Sequence, residues 1–390
     1  MSTAAATLVW KLFGVPAFFP RFADTRVITS GWDCARKGYD VLKTNPCDPW
    51  ARPMNYPRLW TLPSHVGLGA GATAYVALAM IVAFLVATYF LMGRISVRMA
   101  IYYLLCLVSF PVLLLIERGN NDMLVFALLV ATAGALAWLN RPGIGIAVAL
   151  ILLATALKLY PIAAAHALFL RLRGREQWLA VGVVGVAAIY ALVTRQDLAF
   201  IQASTPRPAA LGYGINVPIQ ALFGDLNGLA GGHLSHSIEL VAIVLVLVGL
   251  VAATLWLARR LPPRRLEGRH PRETFVGLLF SLGASVYVLT FLLGNDWDYR
   301  LSLLLLTVPQ MFAWSASPGL AREGRVGLVA VLTGLWLAEV SVYPVFFIVQ
   351  LLLFALFVYF AAILLVTSLD HLDNRLIPRQ IARWYAGRAA

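Results

Sequence analysis

An all-α, polytopic integral membrane protein is the fold class this sequence predicts, and three observations predict it. Hydrophobic residues make up 61% of the 390 positions and charged residues only 13%, about half the charged share of a soluble domain. Mean hydropathy is +0.80. Several apolar runs approach or exceed the roughly 20 residues a helix needs to cross a bilayer. Backbone groups in lipid must be satisfied internally, so helices are the expected spanning element.

In chain order, spans are expected at 66–92, 99–116, 123–139, 143–157, 177–193, 237–258, 274–293, 301–317, 326–343 and 345–369. Two shorter apolar segments join them. Residues 160–170 follow "LKLYP" and read as a half-span; residues 7–19, interrupted by Lys11, lack a cleavage site and read as a retained first helix. Together they predict a bundle of about 11–12 transmembrane helices in a single domain over 1–390. Two long connections, 20–65 and 194–236, are rich in Pro, Gly and aromatics and are expected to lie on the membrane surface.

The net charge of +13 is unevenly distributed. Taking alternate loops, the segments 93–98, 140–142, 171–176, 259–273, 318–325 and 370–390 hold 18 Lys+Arg against 6 Asp+Glu; the rest of the chain holds 13 against 12. Such one-sided excess marks the cytoplasmic face. The basic surplus therefore orients the chain, with 370–390 as a cytoplasmic tail, and argues against a nucleic-acid partner. It also puts 20–65, 117–122, 158–161, 194–236 and 294–300 on the extracytoplasmic side.

The chemically dense segments share that side. In 20–60, Asp24, Asp33, Asp40 and Asp48 alternate with Trp, Tyr and Arg; a carboxylate there can serve as general base, and the aromatics can face sugar rings or anchor at the interface. The turn "IERGNNDML" crowds Glu117, Arg118, Asn120, Asn121 and Asp122 around a glycine, more polar groups than a hairpin needs. "GNDWDYR" at 294–300 repeats the theme with Asp296, Asp298, Tyr299 and Arg300, the last able to meet a phosphate bidentately. "LKLYP" places Lys158 and Tyr160 at a helix end broken by Pro161. An ionisable group there marks a function or snorkels to the headgroups. Ordinary solvated loops and turns are the competing reading of each segment. Of the remaining polar residues, His166, Gln310 and Gln350 read as interhelical hydrogen bonders. Glu339 reads as a cavity or pairing group. His233 and His236 are spaced as in some metal sites but lack a nearby third ligand. Cys34 and Cys47 fall in one external loop where they can pair, while Cys106 lies within a span. No phosphate-binding glycine loop, GxSxG elbow or CxxC pair occurs.

Five stretches carry a family resemblance: "FADTRVITSGWD", "NPCDPWARPMNYPRLW", "ERGNNDMLVFALL", "ATALKLYP" and "DYRLSLLLLTVPQ". In that order the chain resembles bacterial membrane glycosyltransferases of the GT-C superfamily, family 87. The resemblance implies a GT-C-like bundle in the plasma membrane. It implies a polyprenyl-phosphate-linked sugar donor in place of a nucleotide sugar, and a catalytic carboxylate soon after the first helix. Asp24 is the position that fits. Arg118, Lys158 and Arg300 become candidates for the donor phosphate, and Glu117, Asn121, Asp122, Tyr160, Asp296, Asp298 and Tyr299 for the sugar or acceptor. The short first helix departs from the family pattern. The acceptor is a lipid, glycan or protein hydroxyl, transfer by one base inverts the anomeric centre, and no cofactor is called for, with a divalent metal left open. Lys158, Glu339 and the broken helices also fit a secondary transporter, although the polar groups gather on one face and no inverted repeat is visible. A lipid-linked polysaccharide polymerase or ligase would share the outward site.

Overall fold

A computed structural model of the chain describes residues 14–17, 19–93, 96–206, 212–229, 236–261, 270–294, 296–340, 342 and 344–376. Most of the expected first helix, most of the basic 259–273 loop, the end of the basic tail, Asn295 and His233 lie outside the described residues.

The described chain is almost wholly helical. Helix α1 is Ala23–Arg36, followed by 3-10 turns at Arg58–Val66 and Ala70–Ala72. Then come α2 (Thr73–Met92), α3 (Val97–Leu107), α4 (Phe110–Arg118), α5 (Asp122–Trp138) and α6 (Asn140–Leu157). A 3-10 segment, Tyr160–Ala164, leads to α7 (Ala165–Arg171), α8 (Trp178–Val193), α9 (Arg195–Ser204), α10 (Val217–Leu229), α11 (His236–Ala258) and α12 (Pro271–Leu292). A second 3-10 segment, Asp298–Thr307, precedes α13 (Val308–Ser315), α14 (Ala321–Leu337) and α15 (Val345–Leu376). The β pairing among the described residues is a two-residue antiparallel ladder, Gly212 opposite Trp297 and Tyr213 opposite Asp296.

Six of these helices are long and apolar enough to cross a membrane, or seven if α3 and α4, bent by 58° at Ser109, form one broken span. That is fewer than the apolar runs imply, because several expected spans are short or broken. Helix α5 has 17 residues. The expected span 301–317 is a 10-residue 3-10 segment running into an 8-residue α-helix. A 3-10 helix rises about 2.0 Å per residue, so this composite still has a contour of about 30 Å.

Burial separates the centre from the rim. In α12 the apolar window is 78% buried, against 6% in α11; α12 is therefore the protein-lined axis, and α11 presents its sides to acyl chains. Around α12, Phe280, Tyr287 and Phe291 meet Trp314, Phe354, Phe357 and Phe360 edge to face or stacked. Of the polar residues expected between helices, His166 bridges them, 2.7 Å from Ser281 Oγ and 2.9 Å from Ser368 Oγ; Gln350 Nε2 instead donates to the Gly212 carbonyl of the short ladder at 3.2 Å. Such bonds spare buried polar groups a cost of several kcal/mol each in a lipid setting.

Two breaks position the site. Helix α4 ends because Gly119 takes the left-handed conformation, φ 58°, which glycine adopts without a Cβ penalty. Helix α6 ends at Lys158, which is extended. Pro161 lacks the N–H that would bond the Leu157 carbonyl; that carbonyl instead accepts from Trp60 Nε1 at 3.3 Å, and the Trp60 carbonyl accepts from Trp32 Nε1. An indole relay from α1 thus seals the α6 break.

Candidate active site

Helix α1 carries Asp24 in its first turn, and the loop after it is folded back to hold that turn. Cys34 and Cys47 are disulfide-bonded with Cα atoms 5.7 Å apart, so the pairing open to them in the sequence is made. Asp48 accepts from Arg52 at 3.0 Å, and Arg52 Nη2 reaches the Ala23 carbonyl at 2.7 Å; Asn45 donates to the Val27 carbonyl at 3.1 Å. Thr25 Oγ1 donates to the Gly119 carbonyl at 2.5 Å. A Cβ on Gly119 would meet Thr25 Oγ1 at 2.5 Å and Phe22 Cβ at 3.0 Å. The tight turn can approach α1 because residue 119 has no side chain.

Across this contact the polar side chains interlock. Arg118 grips Asp24 with two nitrogens, Nη2 at 2.6 Å from Oδ1 and Nε at 3.0 Å from Oδ2. Asn120 Nδ2 donates to Asp24 Oδ2 at 2.6 Å, while Asn120 Oδ1 accepts from Lys158 Nζ at 3.0 Å and from the Asp122 amide at 2.9 Å. Lys158 also pairs with Asp122 Oδ1, which accepts from Tyr160 OH at 2.7 Å. Arg300 Nε lies 3.6 Å from Asp122 Oδ2, and Arg300 pairs with Asp296. The start of α1 and three turns remote in sequence thus form one chain of charged and amide groups, from Asp24 and Arg118 through Asn120 and Lys158 to Asp122, Arg300 and Asp296.

Aromatic rings frame the cations. Trp297 lies under Arg118 at 5.2 Å, Tyr160 under Arg300 at 5.1 Å, and Tyr56 and Tyr299 at 5.7 and 5.8 Å from Lys158. Such contacts favour a cation where water is excluded. The assembly opens into a cleft of about 200 Å³ lined by Asp24, Tyr56, Arg118, Lys158, Tyr160, Trp297, Tyr299 and Arg300, with Leu198, Ile201, Thr205 and Pro206 of α9 and its continuation closing one wall. Arg58 bonds Asp197 at 2.8 Å and Asp40 at 3.0 Å, tying α9 to the first loop; Trp297 Nε1 donates to the Pro206 carbonyl at 3.0 Å.

Electrostatics follow from burial and partners. Burial alone would raise the Asp24 pKa, but the Arg118 charge and hydrogen bonds and the Asn120 amide outweigh it, and the carboxyl is held below its ordinary 3.8. For Lys158 burial wins: despite Asp122 its pKa falls to about 8.

Of the residues singled out in the sequence, Asp24, Arg118, Lys158, Tyr160, Tyr299 and Arg300 line the cleft. Asp122 and Asp296 stand behind the cations as their counter-ions. Glu117, Asn121 and Asp298 are buried but do not line the cleft. Both Asp298 oxygens, and both side-chain polar atoms of Asn121, lack a hydrogen-bond partner among the described residues. Glu339 faces Gly14, away from the cleft. Asn120, Tyr56 and Trp297 acquire contacts that their sequence positions had not distinguished. Asn120 has a signal in hindsight: it directly follows Gly119, whose left-handed φ ends α4 and lets the turn approach α1. Among the described residues, no three His, Cys, Asp or Glu side chains gather as a metal site.

The arrangement pairs an ionised carboxylate with a cationic, aromatic-walled pocket at one end of a helical membrane bundle. Comparison with curated proteins and with solved structures yields no match. A family model does match, that of glycosyltransferase family 87, over residues 59–290. That stretch takes in 117–122 and 158–160, while Asp24 and 296–300 flank it. The match covers more than half of a multi-pass helical chain whose charged turns converge on one cleft, and the chain belongs to glycosyltransferase family 87.

Proposed function

We propose that this glycosyltransferase takes its sugar from a polyprenyl-phosphate donor at the extracytoplasmic face of the bacterial plasma membrane. It passes that sugar, with inversion, to a hydroxyl of a lipid, glycan or protein acceptor. The single observation that carries this reading is the shared cleft: one buried carboxylate, Asp24, and three cations, Arg118, Lys158 and Arg300, line the same small cavity. An anion of phosphate type is the ligand such a set of cations favours, and the Trp and Tyr walls suit a sugar face.

In this reaction the acceptor oxygen attacks the anomeric carbon as the bond from that carbon to the phosphate oxygen breaks. The electron pair leaves with the polyprenyl phosphate, and the acceptor proton passes to Asp24. Charge builds on the leaving phosphate, where preorganised cations contribute most. Lys158 and Arg300 are held ready by Asp122 and Asp296 and by the rings beneath them. Arg118 is shared: in the resting site it grips Asp24, and a phosphate that draws it away would leave the carboxylate a stronger base. The transition state has oxocarbenium character, as in glycoside chemistry generally.

The test is direct. Purified protein in detergent is incubated with polyprenyl-phosphate mannose, polyprenyl-phosphate arabinose and related donors together with membrane glycolipid extract, and products are read by mass spectrometry. Transfer from a polyprenyl-phosphate sugar without a sealed membrane supports the reading. Transfer only from nucleotide sugars overturns the donor assignment.

A further inference from the structure

The residue that joins the two halves of the cleft is Asn120. Its side chain is fully buried, and its amide is oriented by partners on both ends: Nδ2 donates to Asp24 Oδ2 at 2.6 Å and lies 3.5 Å from Tyr56 OH, while Oδ1 accepts from Lys158 Nζ at 3.0 Å and from the Asp122 amide at 2.9 Å. An aspartate here would set a carboxylate against Asp24. An alanine would leave Asp24 Oδ2 and the Lys158 ammonium each one partner short. The asparagine amide donates to one through its nitrogen and accepts from the other through its oxygen, two fixed ends that span the gap between them.

We infer that Asn120 is a positioning residue that locks the Asp24 carboxylate to the Lys158 ammonium and keeps Asp24 ionised and aimed when Arg118 is drawn off. The catalytic part of this inference rests on the reading of Asp24 as base; the electrostatic part does not. Arg118 enters from α4 and can swing on a long side chain, whereas Asn120 is short, buried and pinned through the Asp122 amide to the first turn of α5. When a phosphate competes for Arg118, Asn120 is the donor left on Asp24, so it sets both the direction of the carboxylate and its affinity for the proton.

The experiment needs no identified substrate for its first arm. The Asp24 carboxyl is titrated in detergent by infrared difference spectroscopy, using wild type minus Asp24→Asn, in backgrounds of Asn120, Asn120→Ala, Asn120→Leu and Asn120→Asp. The expected result is an upward shift of the Asp24 midpoint in all three variants. The largest shift is expected in Asn120→Asp, about one pH unit or more, a tenfold or greater change in proton affinity. Asn120→Asp adds a charge that moves the midpoint whatever the wild-type amide does, so the deciding variants are the neutral ones: Asn120→Ala and, close to asparagine in size where Asn120→Ala does not fold, Asn120→Leu. A midpoint unmoved in the folded neutral variants overturns the inference, because a purely packing role would leave the titration where it was. In the second arm, with polyprenyl-phosphate mannose or arabinose as donor, Asn120→Ala is expected to lower kcat about 10–100-fold and change the donor KM less than about threefold, with the acid limb of its pH profile moved upward. Wild-type kcat and an unmoved acid limb overturn the catalytic part. Asp24→Asn run in parallel separates the two ideas: near-wild-type turnover there removes Asp24 as base, whatever Asn120 does.

Discussion

At the scale of single residues, Asp24 and Lys158 make opposite demands on pH. Asp24→Asn keeps the size and most hydrogen bonding of the side chain but cannot take the acceptor's proton. General-base catalysis contributes about 10²–10⁴-fold, so the variant is expected to fold, bind donor and lose activity by that order; turnover close to wild type would move the search to Asp122. The Asp24 pKa is depressed on folding, so the stability it contributes is present above its unfolded pKa and is lost as pH falls through the folded one. Lys158 is also depressed, to about 8. Its ammonium is therefore lost as pH rises through that value, and donor affinity is expected to weaken above about pH 8. Lys158→Arg should shift this alkaline limb upward, because guanidinium holds its proton; a limb left at the same pH in the arginine variant would assign it to another group. The sequence reading expects Lys158 to matter more for the phosphate than for the fold. The structure adds a structural demand, since Asp122 is buried beside it. Lys158→Met is then expected to destabilise as well, by less than the about 3–5 kcal/mol of a broken buried pair, because Tyr160 still donates to Asp122 and Arg300 stays 3.6 Å away.

At the scale of elements, the turn between α4 and α5 decides the site. Its polar density was legible in the sequence as an excess over what a hairpin needs. Its partners were not, since Asp24 lies 94 positions from Arg118 and periodicity says nothing about contacts that long. The same limit explains why Glu117, Asn121 and Asp298 shared a motif with cleft residues yet do not line the cleft: adjacent residues on a helix point about 100° apart, so a polar run cannot all face one way. Gly119 tests this account of the turn. Gly119→Ala imposes a left-handed φ on a residue with a Cβ, a cost of about 1–2 kcal/mol, and drives that Cβ into Thr25 Oγ1 at 2.5 Å. Loss of both thermal stability and transfer is expected. Gly38→Ala makes a matched control, because φ there is 84° but a Cβ meets nothing within 4 Å. It should lower Tm by the strain alone and leave turnover intact. Equal loss of turnover in both variants would mean that strain, and not the fit of the turn against α1, governs activity.

At the scale of the whole molecule, hydropathy made the all-α membrane class legible but not the internal geometry of each apolar run. Apolar length is blind to the 3-10 geometry of Asp298–Thr307 and to the break at Lys158, both of which serve the cleft. Charge asymmetry supports the proposed orientation, and the Cys34–Cys47 disulfide is a second argument for it: disulfides persist on the oxidising side of a membrane, and this one ties the helix that carries Asp24 to the loop after it. Both arguments favour the proposal that the cleft opens away from the basic loops. Labelling with a membrane-impermeant maleimide can check this, because the native thiols give little background: Cys34 and Cys47 are bonded and Cys106 is buried. Val66, 76% exposed at the end of the turn after Trp60, should be labelled as Val66→Cys in right-side-out vesicles. Arg175 is exposed between α7 and α8, at the far end of α8 from the Asp197–Arg58 tie. Arg175→Cys should react only after permeabilisation. The reverse pattern would place the cleft in the cytoplasm, where a nucleotide-linked donor becomes available and the case for a lipid-linked one is lost.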